Sequence, residues 1–210
     1  MKWGTSMISA ILLAAGESKR MGRLKLLLKW GQGTIIEKSV DTLLASKSDE
    51  LIVVLGYKAQ AILRRLGSRR LKAVINHQYR MGMSTSIRWG LGKVNSKSEA
   101  ILIGLADQPF IETDLINYLI DVYRQNPHGI VLPSFKGKRG HPVILNRLRY
   151  QEEMGKLMGD VGCRPILNRH PEDILEVEVD SEGVIADIDS WGEYITTGIP
   201  EKGFKGNDAN

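Results

Sequence analysis

Short apolar runs recur along the chain at residues 8–13, 51–55, 73–75, 100–105, 130–132, 143–145 and 174–179. Several are continuous rather than alternating, the mark of strands covered on both faces. Helix-like stretches lie between them. Thr34-Ile35-Ile36-Glu37 reads as a capping box, followed by Val40, Leu43 and Leu44 on one face, and residues 59–66 and 115–122 carry similar apolar spacing. This alternation predicts an α/β fold: a doubly wound, mostly parallel (mixed) sheet sandwiched by helices, with ligands gathered beyond the carboxyl ends of the strands. After about Val143 the pattern is less regular, which predicts an excursion over the site. The 210 residues suit one domain over 1–200, and 201–210 lack a core-forming pattern and are expected to fray as a disordered tail.

Composition narrows the function classes. No apolar run approaches the roughly 20 residues of a membrane helix, and the first six residues lack the features of a signal peptide. The expected location is the cytoplasm, with no membrane partner. The single cysteine, Cys163, excludes an internal disulfide and a multi-cysteine metal site, and reads as a small core residue. The net charge of +5 permits nucleic-acid binding, but only 6% of residues are aromatic and no basic platform interleaves them, so no nucleic-acid partner is expected. Cations gather at 19–29, 64–72 and 136–139, and the middle group reads as a solvated helix end.

After the first run the chain passes into small residues, two glycines and several cations: Leu13-Ala14-Ala15-Gly16-Glu17-Ser18-Lys19-Arg20-Met21-Gly22-Arg23-Leu24-Lys25. Small residues let a backbone approach a ligand closely, and loop N–H groups converge on phosphate oxygens. Arg20 and Lys25 add charge where a triphosphate carries it. The same run is also compatible with a tight turn bearing solvated cations. Two better-known phosphate loops fit poorly. Five residues, not four, separate Gly16 from Gly22 and Lys25 precedes Leu26, against a Walker loop, and a dinucleotide fingerprint lacks its second glycine.

The loop resembles the signature L-x-A-G-x-S-x-R-M-G-x-x-K of the MobA-like nucleotidyltransferases, matching at Leu13, Ala15, Gly16, Ser18, Arg20, Met21, Gly22 and Lys25. The resemblance implies a loop that wraps the phosphates of a nucleoside triphosphate, with Leu13, Ala14, Ala15 and Gly16 holding the nucleotide and Arg20 and Lys25 on the phosphates. Further stations follow in the family's order. Asp107-Gln108-Pro109 places a carboxylate just past a buried run; an Asp there is a common turn former, and it also suits a hard cation bridging phosphates. The family carries its metal ligand at this point. Asn76, Ser84 and Ser86 resemble a segment that lines the nucleotide pocket, although hydroxyls at a helix start also serve as caps. Arg139-Gly140-His141-Pro142 and Gly159-Asp160-Val161-Gly162-Cys163-Arg164 resemble acceptor-side segments, which marks Arg139, His141 and Arg164. Asp187-Ile188-Asp189 parallels the family's D-I-D, with Asp189 preferred over Asp187 as a second metal ligand. Here the chain departs, because Ser190-Trp191-Gly192-Glu193-Tyr194 stands where T-P-E-D-L is usual.

The resemblance implies a catalytic set of Arg20, Lys25 and Asp107, with Mg²⁺ (Mn²⁺ as a substitute) on Asp107 and Asp189. Ala14-Ala15-Gly16, rather than Ala-Gly-Gly, points to the cytidylyl branch. That branch transfers CMP from CTP to the phosphate of a molybdopterin-type cofactor and releases pyrophosphate, with transient contact to a client molybdoenzyme. Two alternatives stand beside it. One is another nucleotidyltransferase of the same fold, transferring to the molybdenum cofactor from GTP or to a sugar or polyol phosphate. The other is a maturation factor that binds without turnover.

Overall fold

The computed structural model describes residues 7–196. The chain runs through β1 (Ile8–Ala14), a small hairpin of β2 (Lys29–Trp30) and β3 (Gly33–Thr34), α1 (Ile35–Leu44), β4 (Glu50–Leu55), α2 (Ala59–Leu66), β5 (Lys72–Ile75) and α3 (Met83–Leu91). It continues through β6 (Ala100–Leu105), α4 (Thr113–Gln125), β7 (Ile130–Phe135), β8 (Lys138–Arg139), β9 (Val143–Asn146), α5 (Arg147–Gly155), α6 (Arg164–Arg169), β10 (Ile174–Glu178) and α7 (Trp191–Thr196). Every apolar run read as a strand is one. The three strands absent from that reading, β2, β3 and β8, have two residues each, too short for a periodicity to register.

One mixed sheet has the order β10-β7-β9-β6-β1-β4-β5, with β8 paired to β7. β1 lies parallel to β4 and β6, β4 parallel to β5, and β7 parallel to β10, while β9 runs antiparallel between β6 and β7. All seven residues of β1 are buried. Their alternation feeds two cores: Ala10, Leu12 and Ala14 pack with residues of α1, α2 and α4 on one face, and Ile11 and Leu13 with residues of α3, α5 and α6 on the other. Each aliphatic side chain buried there contributes about 1.5–3 kcal/mol. Burial on both faces explains the continuous apolar runs.

Two expectations are corrected. Thr34 and Glu37 do not form a capping box: Thr34 Oγ1 donates to Glu37 Oε2 at 2.8 Å and makes no cap to the helix backbone. Glu37 is drawn instead to Arg65 at 2.7 Å and Arg69 at 3.3 Å, so two of the cluster's cations are ion-paired onto α1 rather than only solvated, while Lys72 pairs with Glu50 of β4. The stretch after Val143 carries the two strands read in it and also borders the site, as expected. It supplies β9 and β10 to the sheet, and two loops of it, 156–163 and 179–190, border the site described next. The tail expected to fray lies outside the described residues.

Candidate active site

From β1 the chain steps to β4 and β5 on one side, then returns to β6 on the other side of β1. The crevice at such a switch point, beyond the carboxyl ends of β1 and β6, is where doubly wound sheets bind ligands. The loop after β1 and the Asp107 segment after β6 both emerge there. Ser18 takes a left-handed conformation (φ 54°), as does Gly22 (φ 66°), and these two reversals fold the loop back on the sheet. A non-glycine residue there costs about 1–2 kcal/mol. Ser18 offsets it by accepting from Met21 N through its carbonyl at 3.0 Å and from Lys25 N through its hydroxyl at 3.2 Å.

Lys25 is thereby aimed inward. Its Nζ lies 2.7 Å from Asp107 Oδ2 and 2.8 Å from Asp189 Oδ1, and Arg20 Nη2 lies 2.5 Å from Asp189 Oδ2. The lysine side chain is only 12% exposed. Burial alone would push its pKa down, but Asp107 and Asp189 outweigh that and hold it above the ordinary lysine value. Burial likewise pushes Asp189 up, and Lys25 with Arg20 overcomes it, leaving the carboxyl below its usual range. Lys25 and Asp189 are therefore both charged at neutral pH, a fixed ion pair rather than a proton relay.

Two carboxylates that close on one ammonium nitrogen also suit a small divalent cation, for which carboxylate oxygen is a hard donor. Among the described residues no group of three or more His, Cys, Asp or Glu side chains is arranged to hold a metal. A two-carboxylate site matches the way Mg²⁺ is commonly held, with substrate phosphates and waters completing its shell. The residues fit the ion.

Two adjoining chambers open around this centre. The first, about 540 Å³, is lined by Gly16, Ser18, Arg20, Lys25, Asp107 and Asp189, among others. The second, about 460 Å³, is lined by Arg139, His141, Arg164, Gln108 and Asp187 over an apolar floor that includes Ile87, Ile103 and Leu132. Asp160 borders both. The structure thus brings Arg20, Lys25, Asp107 and Asp189 into one chamber and Arg139, His141 and Arg164 into its neighbour. Asp187 faces the second chamber and accepts from Gln108 Nε2 at 2.7 Å. Burial, reinforced by the charge of Asp107, raises its pKa. His141, mostly enclosed, is held below the ordinary histidine value by burial, with Asp107 pulling the other way and Arg164 adding to the depression. Arg139 leans on Glu176 through Nε at 2.7 Å.

Asn76, Ser84 and Ser86 line neither chamber. All three are buried: Asn76 Nδ2 donates to Thr85 Oγ1 at 2.8 Å and to Ser86 Oγ at 3.0 Å, a bracket that ties β5 to α3 from beneath. Leu13, Ala14 and Ala15 are also buried, and of that stretch Gly16 is the residue that lines the first chamber. The carbonyls of Leu13 and Ala15 accept from Ala106 N at 3.1 Å and Tyr57 N at 3.2 Å.

Several contributors escaped the sequence reading. Glu17 gathers Lys19 at 3.0 Å and Arg80 at 3.2 Å on the rim of the first chamber. Asp160 Oδ1 accepts from Met83 N at 2.9 Å and anchors the partition between the chambers. Ser190 and Glu193 form the reciprocal pair that Thr34 and Glu37 do not, with Glu193 N donating to Ser190 Oγ at 3.2 Å and Ser190 N to Glu193 Oε2 at 2.8 Å. Their S-x-x-E spacing was the legible signal.

Residues 10–174 match the family model described as the MobA-like NTP transferase domain. The chain is 29% identical over 191 residues to a protein of Paenarthrobacter nicotinovorans described as nicotine blue oxidoreductase, covering 87% of this chain and 92% of that one. It is 27% identical over 197 residues to the molybdenum cofactor cytidylyltransferase of Escherichia coli K12, covering 91% and 95% respectively. The crystal structure of Rv0371c from Mycobacterium tuberculosis H37Rv superposes with a TM-score of 0.81 at 27% identity, covering 91% of this chain and 97% of that one. A complex of that protein with manganese aligns at a TM-score of 0.77.

Proposed function

The chain belongs to the MobA-like NTP transferase family, and on that premise we propose that it transfers CMP from CTP to the phosphate of a molybdopterin-type cofactor, releasing pyrophosphate. The observation that carries this reading is the convergence of Lys25, Arg20, Asp107 and Asp189 at the mouth of one chamber, beside a second chamber lined with Arg139, His141 and Arg164. Ala14-Ala15-Gly16 and the cytidylyltransferase among the relatives favour CTP.

An acceptor phosphate oxygen attacks the α-phosphorus, the bond to the β-phosphate oxygen breaks, and pyrophosphate departs. The attacking phosphate is already ionised at neutral pH, so the residues at hand need only align the partners and meet the developing charge. Arg20 and Lys25 hold the triphosphate, with the backbone at Gly16 close against it. Arg164 and Arg139 attract the acceptor's phosphate, and His141, neutral at pH 7, orients it by hydrogen bonding. Asp107 and Asp189 would hold a divalent cation, Mg²⁺ or Mn²⁺, which neutralises phosphate charge when bound.

The test is pyrophosphate release from CTP, GTP and UTP, each with molybdopterin cofactor as acceptor. Release with CTP, at least tenfold faster than with the others, is expected. Equal turnover of GTP would overturn the base assignment. Absence of release with all three, together with electron transfer to a dye, would favour the redox activity named for the Paenarthrobacter relative.

A further inference from the structure

The helix α7 reaches back to the loop it follows by more than 160 residues. Glu193 Oε2 accepts from the backbone N–H of Asp189 at 2.7 Å and of Ser190 at 2.8 Å, which fixes the backbone that carries the Asp189 carboxylate. The next residue, Trp191, donates its indole Nε1–H to the carbonyl of Met21 at 3.1 Å. Met21 sits between the two left-handed reversals at Ser18 and Gly22 and directly follows Arg20. The Arg23 guanidinium lies 5.3 Å from the centroid of the same indole, and the Tyr194 hydroxyl donates to the carbonyl of Lys29 at 2.8 Å. One short helix therefore holds the loop at 21, 23 and 29 while its first turn holds Asp189. The segment is the one that departs from the family pattern, in which proline stands at position 191, and proline has no side-chain donor.

We propose that Trp191 is a positioning residue for the triphosphate: by holding the Met21 carbonyl it sets the direction of Arg20 and the spacing between the loop and Asp189. The inference rests on the first chamber being a phosphate site, and it deepens that reading by naming what keeps the loop in register. The loop's own regular structure is two short 3₁₀ turns, Lys19–Met21 and Lys25–Leu27, so a hydrogen bond from outside it onto the Met21 carbonyl, at the end of the first turn, has leverage on where its cations point.

The probe is inorganic tripolyphosphate with Mg²⁺, titrated calorimetrically into the full chain. Trp191→Phe keeps an aromatic ring and removes the N–H together with part of the indole's area. It is expected to weaken binding about 3–10-fold and to speed amide exchange over residues 18–25. Tyr150→Phe is the structural control: its hydroxyl donates to Asp173 at 2.5 Å on a different part of the fold, and its loss should lower the melting temperature without moving tripolyphosphate affinity. Wild-type affinity in Trp191→Phe, or an equal loss in Tyr150→Phe, would overturn the proposal. Failure of the wild type to bind tripolyphosphate would remove the phosphate reading and this inference together. Base and acceptor choice do not enter the measurement, so a failed cytidylyl assignment would leave a positive result standing.

Discussion

His141 shows how a single side chain changes meaning with its surroundings. In the sequence it sits in a Gly-rich turn, where a solvated imidazole is the ordinary expectation. In the structure β7 and β8 make that turn as a tight hairpin, with Lys136 (φ 50°) and Gly137 (φ 74°) at its tip, and the chain then carries His141 inward, its backbone N–H donating to Val184 O at 2.9 Å. Burial lowers its pKa, so as pH falls the unfolded chain takes up a proton that the folded chain does not. Its stabilising contribution is present above the unfolded value of about 6.5 and is lost as pH falls towards the depressed folded value. Urea unfolding of wild type should show a decline in stability between about pH 7 and pH 5 that is shallower in His141→Gln; identical slopes would contradict the assignment. Asp187 and Asp189 make the opposite point. Two residues apart in one stretch without regular secondary structure, they are equivalent in the sequence. Only the placement of Lys25 and Gln108 separates them into different chambers.

The elements were legible where burial imposes a pattern and illegible where side chains choose among partners. β1, β4 and β6 announce themselves because both faces are covered, and the loop after β1 because its spacing is fixed over thirteen positions. The two S/T-x-x-E segments show the limit. The pattern was read at Thr34–Glu37, where two arginines across the groove from α1 compete for the glutamate, and missed at Ser190–Glu193, where Arg20 and Lys25 bond to Asp189 and the glutamate stays with the helix end. Asn76, Ser84 and Ser86 were equally ambiguous, since a hydroxyl at a helix start serves a cap, a ligand or a buried bracket alike. The start of α3 depends on Gly82, which has φ 101° and ψ 169° and whose added Cβ would stand 2.4 Å from Gly159 C. That contact seats the partition loop carrying Asp160, and only glycine tolerates the backbone there. Gly82→Ala should cost about 2–4 kcal/mol in urea unfolding and widen the passage between the chambers. A cost within experimental error would show that the partition is not seated this way.

At the scale of the whole molecule, the sheet order does what no local pattern could show. Because the chain returns from β5 to the far side of β1, the loop after β1 and the turn after β6 become neighbours although some eighty residues separate them. The long C-terminal path then brings Asp189 and α7 back over the same crevice, closing a ring of charge drawn from three distant parts of the chain. Among the described residues no helix is long and apolar enough to cross a membrane. The account predicts that this ring grips a metal-bound triphosphate, and calorimetric titration of CTP with and without Mg²⁺ tests it most directly. Wild type should bind CTP in a Mg²⁺-dependent manner, and Lys25→Ala should lose about 100-fold in affinity while keeping its circular-dichroism spectrum. Binding that is indifferent to Mg²⁺ and unchanged in Lys25→Ala would contradict it.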